Sequence, residues 1–186
     1  MASVSELVDG LSKALGEPRD KANKYARALI DADLLPKSSG RAVAQVEIVH
    51  FVRLLTAMAL QPKIKDTGER VAEYLNLPMA ATSHKTGERI NRDMTCEDML
   101  VKVFCAALTR SPGELTQASI HFVVNFPLVE VTMPSPKVLE LIAPEMVVRF
   151  KPHGVPLDLD DLPIRRSVIV WADSVKSMGF DLEGCD

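Results

Sequence analysis

From Val4 to Leu108 the apolar positions recur at spacings of three and four, and from Ser119 onward they alternate. The first spacing is that of a helix with one buried face, the second that of a half-buried strand. Leu7, Leu11 and Leu15 predict a helix over Val4 to Leu15, capped by Ser3 or Ser5, with Glu6 near its amino end and Gly16 at its stop. Pro18 opens a second helix, Arg19 to Leu34, with Ala22, Ala26, Leu29 and Ile30 on its apolar side and Arg19, Lys21, Lys24 and Arg27 on its polar side. Pro36 stops it, and Lys37-Ser38-Ser39-Gly40-Arg41 follows as a polar loop. A third helix, Val43 to Leu60, has almost no polar face, which predicts burial at the centre of a core or against a second subunit. Gln61-Pro62 breaks it. A fourth, Thr67 to Asn76, turns Val71, Tyr74 and Leu75 inward.

Pro78 to Arg92 has no period and is read as a connector, or else as a second basic contact through Lys85, Arg89 and Arg92. Thr95 caps a fifth helix with Asp98 as its reciprocal partner, and Ser111-Pro112-Gly113 ends that helix. Ser119 to Phe126 alternates strictly, with Ile120, Phe122, Val124 and Phe126 on one side. Val129 to Met133 is its hairpin partner, and Met146 to Phe150 and Arg165 to Trp171 are further strands. Lys137 to Ile142 and Ser174 to Met178 are read as helical turns, and Pro152 to Pro163 as a loop. The expected class is α+β. An amino-terminal winged helix-turn-helix domain (1–77) is joined by a connector (78–94) to a small antiparallel-sheet domain (95–186) assigned to partner binding.

The composition, 47% apolar and 25% charged over 186 residues, is that of a soluble globular chain. A net charge of −3 excludes a general polyanion binder, so any affinity for nucleic acid has to come from a local patch. Charge is segregated: residues 19–41 hold six Lys or Arg against three Asp, and the stretch after Pro152 holds three against seven Asp or Glu. Three cysteines, Cys96, Cys105 and Cys185, form no close pair, which predicts unpaired thiols in a reducing, cytoplasmic compartment. No window approaches the ~20 apolar residues that cross a bilayer, and the start lacks a signal-peptide pattern. No metal, cofactor or catalytic centre is expected. The four histidines lie at no metal-ligand spacing from a cysteine, Asp158, Asp160 and Asp161 read as a solvated turn, and no phosphate-loop or hydrolase motif occurs.

The candidate chemistry is therefore DNA binding. Arg19, Lys21, Lys24 and Arg27 repeat cations along one helix, Asn23 suits an adenine edge, and Tyr25 either donates to a phosphate or packs. Lys37, Ser38, Ser39 and Arg41 suit a wing against the backbone, or else a plain solvated connection. The segment KYARALIDADLLPKSSGRAVAQVEIVHFVRLLTAMAL resembles an amino-terminal module of alphaproteobacterial prophage proteins, whose pattern runs roughly Y-A-R-A-L-R-E-A-G-L-L-P, a Gly-rich loop with Arg, then a long apolar helix. Asp33 stands where that pattern has glycine, and the loop is shorter. The module is also similar to that of gene transfer agent activators, and in layout to mercury-resistance-type regulators. The resemblance implies transcription control in a phage-derived gene cluster, with the second helix as reader and the loop as wing. RNA polymerase or a co-regulator is the expected partner of the acidic carboxyl-terminal half. So few cations imply weak binding per copy, and hence a homodimer or recruitment. Two alternatives stay open: a DNA-packaging subunit like the ring-forming small terminases, and a protein-interaction adaptor without DNA binding.

Overall fold

The computed structural model of the protein describes residues 2–38, 43–79, 81–82, 89–90, 94–109, 118–133, 146–152 and 167–172. Strand β1 (Ala2–Ser3) leads into α1 (Val4–Leu15), where Ser3 accepts the Glu6 amide and the Glu6 carboxylate accepts from the Ser3 amide at 2.7 Å. These bonds hold the Glu6 carboxyl below its usual range. The helix closes on Gly16 (φ +64°), whose neighbour Glu17 donates back to the Ser12 carbonyl at 3.0 Å. Helix α2 (Arg19–Asp31) ends three residues before the expected Leu34, because Asp33 adopts φ +57°. Leu34 then donates to the Leu29 carbonyl at 2.8 Å and Asp33 to that of Ile30 at 3.1 Å. The left-handed stop thus forms on aspartate, which tolerates it better than most residues.

The third helix also starts later than expected. Gln45–Val46 forms β2, paired antiparallel with β1, and α3 begins at Ile48 and runs to Leu60. A 3-10 turn (Ile64–Asp66) leads into α4 (Thr67–Leu75). Within the stretch read as a connector, β3 (Ala81–Thr82) pairs with β4 (Arg89–Ile90). Helix α5 (Cys96–Thr109) carries the expected box: the Asp98 amide donates to Thr95 at 3.2 Å and the Thr95 amide to the Asp98 carboxylate at 3.0 Å. Strands β5 (Ser119–Val123), β6 (Leu128–Met133), β7 (Met146–Phe150) and β8 (Ser167–Trp171) form an antiparallel sheet in the order β7-β6-β5-β8. The hairpin forms on the expected partners, with Phe122 opposite Val129, but β5 stops at Val123 and not at Phe126: Val124 and Phe126 lie in the turn before β6, where Pro127 has no amide proton to give a ladder. The turns expected at Lys137 to Ile142 and Ser174 to Met178, the acidic loop and Arg165–Arg166 lie outside the described residues.

The mixed α and β composition, helices first and sheet after, is as expected. Most of the buried apolar residues form one cluster, from Leu7 and Leu29 through Phe51 and Tyr74 to Phe104, Ile120 and Phe150. Helix α3 runs through it, buried from Leu54 to Leu60. Tyr74 of α4 is fully buried, and its hydroxyl lies 2.5 Å from the Val123 carbonyl and 2.9 Å from that of Phe126, tying α4 to the β5–β6 turn. Burial pushes its phenol up to about 12. The expectation of three unpaired thiols needs correcting: Cys105 is disulfide-bonded, while Cys96 is a free, buried thiol whose pKa burial pushes far up. Distance along the chain does not report distance in space, so cysteine spacing could not show this. Among the described residues, no helix is long and apolar enough to cross a membrane.

Candidate nucleic-acid interface

The tight stop of α1 at Gly16 and the immediate start of α2 after Pro18 leave one face of α2 outward. Its buried side is Ala22, Tyr25, Ala26 and Leu29. The outward side holds Lys24 and Arg27, but also Asp20 and Asp31. It is a mixed face rather than a stripe of cations.

Two of the four helix cations are engaged within the fold. The Arg19 guanidinium donates to the Asp9 carboxylate of α1 and to Ser5 Oγ at 3.1 Å. That contact holds Asp9 below the usual carboxylate range and raises Arg19 further. Lys21 Nζ lies 3.0 Å from both Glu17 carboxylate oxygens, and Glu17 also accepts from Gln61 Nε2 at 3.0 Å. Both lysine and arginine are partly exposed, so these contacts orient the side chains more than they stabilise the fold.

Tyr25 takes the packing role of its two expected ones. It is buried, its hydroxyl donates to the Pro62 carbonyl at 3.3 Å, and burial raises its phenol. The helical spacing of 22, 25, 26 and 29 is the signal that would have placed it inward. Asn23 is half-buried, while Lys37 and Ser38 are exposed. Ser38 Oγ accepts the Ala44 amide at 3.1 Å, which draws the two ends of the expected wing together. Ser39 and Arg41 lie outside the described residues. Lys24 and Arg27 instead border a groove of about 470 Å³, which α2 forms with the 3-10 turn and the start of α4. Lys65 borders the same groove, and so do Asp31 and Glu69. Gly68 makes the seam possible, since a Cβ there would lie 2.5 Å from Ala32 Cβ.

Two residues behind this face have partners that the sequence does not show. Arg53 of α3 donates to both Glu97 carboxylate oxygens of α5, at 2.7 and 3.3 Å, and to the Leu34 carbonyl at 3.2 Å. It thereby anchors the chain just after α2. His50 Nδ1 accepts the Glu47 amide at 2.9 Å and caps α3, which needs the neutral ring with its proton on Nε2. Burial lowers its pKa below 6.5, against the nearby Glu47 and Glu97 carboxylates. The folded protein therefore binds this proton less readily than the unfolded chain. The stability His50 contributes is whole above 6.5 and is lost as pH falls from there through the lower folded value. His50→Gln keeps an acceptor without the titration. Urea midpoints between about pH 7.5 and 5 should fall less for the variant than for the wild type; parallel curves would refute the assignment.

No protein-family model, curated protein or solved structure matches the chain. Among the described residues, no group of three or more His, Cys, Asp or Glu is placed to hold a metal ion.

Proposed function

We propose that this protein is a DNA-binding transcription regulator of winged-helix type, acting in a phage-derived gene cluster. One observation carries the reading. The chain runs β1-α1-α2-loop-β2-α3, and β1 pairs with β2. That pair ties the strand after the loop back to the start of α1, which packs on α2, so a helix, a turn, a second helix and a loop follow one another as a reader helix and wing would. Lys24 and Arg27 stand exposed on α2, with Lys37 at the mouth of the loop. Arg19 and Lys21, held by Asp9 and Glu17, are left out of the proposed contact. The carboxyl-terminal half, joined to this module through α5, is the surface offered to RNA polymerase or a co-regulator.

With about three phosphates neutralised per copy, affinity for duplex DNA should fall roughly 40-fold between about 50 and 200 mM salt. The test is fluorescence anisotropy with a labelled duplex. Lys24→Glu/Arg27→Glu should weaken binding at least ~30-fold at the lower salt and flatten the salt dependence, while the thermal midpoint stays near wild type because both side chains are exposed. Wild-type protein that leaves the duplex free at about 50 mM salt, or a double variant that binds as the wild type does, would reject the reading.

A further inference from the structure

The ion pairs among the described residues use Arg19, Lys21, Arg53, Arg70 and Arg149. None of them uses Lys24, Arg27 or Lys65, although Asp31 and Glu69 border the same groove. These cations come from different elements: Lys24 and Arg27 from α2, Lys65 from the 3-10 turn. Lys63, just before that turn, is exposed as well. Ala28, Ala32 and Ile64 line the trough as well. Long cations without ion-pair partners, set around an open trough, are arranged for an extended polyanion rather than for each other.

We propose that this groove seats one strand of a duplex's phosphodiester backbone, with Lys65 as a contact beside Lys24 and Arg27. The 3-10 turn and the start of α4 then form a second wall of the DNA interface, apart from the wing. The inference rests on the DNA-binding reading and adds a residue set to it. It also gives Glu69 a role: its carboxylate opposes the bound phosphate, so removing that charge tightens binding. A purely structural Glu69 would not do this.

The test uses the full chain with a labelled duplex, read by anisotropy across a salt series. Lys65→Glu should weaken binding about 5–10-fold and lower the slope of log affinity against log salt by about one. Glu69→Gln should strengthen binding about 2–5-fold. Lys102→Glu, an exposed cation on α5 outside the groove, should leave affinity within about twofold. If Lys65→Glu and Glu69→Gln both bind as wild type while Lys24→Glu/Arg27→Glu loses the duplex, this inference fails and the regulator reading stands. Wild-type protein that does not bind the duplex ends both. A poly-glutamate peptide displacing the duplex at equal charge concentration would overturn the assignment to phosphodiester.

Discussion

Replacing Phe104 with alanine should cost about 3–5 kcal/mol and lower the thermal midpoint by roughly 6–20 °C, in one transition. Phe104 is fully buried on α5, and its ring meets that of Phe51 on α3 edge to face, with centroids 5.0 Å apart and planes at 76°. Truncation removes the transfer energy of the ring, leaves a cavity under α3 and forfeits the aromatic pair. The two rings come from stretches that the sequence suggests as separate domains. Packed together, they should unfold together. Far-UV circular dichroism reports the helices, and fluorescence of the single tryptophan, Trp171 on β8, reports the sheet. Coincident melts, both shifted in the variant, are expected. Separate transitions, or a loss below about 1 kcal/mol, would show that the shared core does not act as one unit.

The second large effect is expected at Arg53. Its guanidinium fork satisfies Glu97 and the Leu34 carbonyl together, and the side chains of Arg53 and Glu97 are only 22% and 26% exposed. Arg53→Met should cost about 2–4 kcal/mol, because it leaves a half-buried carboxylate and a backbone carbonyl without their donor. Arg53→Met/Glu97→Met should be less destabilised than the sum of the two single changes, by about 1–3 kcal/mol. Arg53→Lys should restore only part of the loss, since an ammonium cannot span two carboxylate oxygens and a carbonyl as a planar fork does. Urea unfolding of the variants measures the cycle. Strict additivity would mean the contact contributes nothing of its own, and with it would go the idea that α5 anchors the exit of α2.

Local chemistry was readable from the chain. Ser3 with Glu6, Gly16, and Thr95 with Asp98 act within three or four residues, and they set both ends of α1 and the start of α5 where the sequence places them; the expected end of α5 at Ser111-Pro112-Gly113 lies outside the described residues. Alternation through Ile120 and Phe122 located β5 and its hairpin for the same reason. Val43 to Leu60 misled, because a continuous apolar run is compatible with helix or strand. The choice at Gln45–Val46 is made by Ala2–Ser3, more than forty residues away. Lys21 and Glu17 are four residues apart, a spacing that itself implies the pairing; Asp9 reaching Arg19 across a turn has no such local signal. Nor could Lys65, which joins Lys24 and Arg27 only because Gly68 lets α4 approach Ala32.

By itself, then, the sequence determined the course of α1, α4, β6 and β7 and the start of α5 to within a residue, that α3 is buried, and that an excess of basic residues lies between Arg19 and Arg41. Caps, left-handed stops and hydrophobic periods act over a single turn or a few strand residues, so these follow without knowledge of the neighbours. Only the tertiary structure decided which of those cations form no ion pair, which residue they share a groove with, and that Arg53 reaches Glu97 and the Leu34 carbonyl. A charge is answered by whatever carboxylate lies within a few ångströms, and packing alone sets that distance.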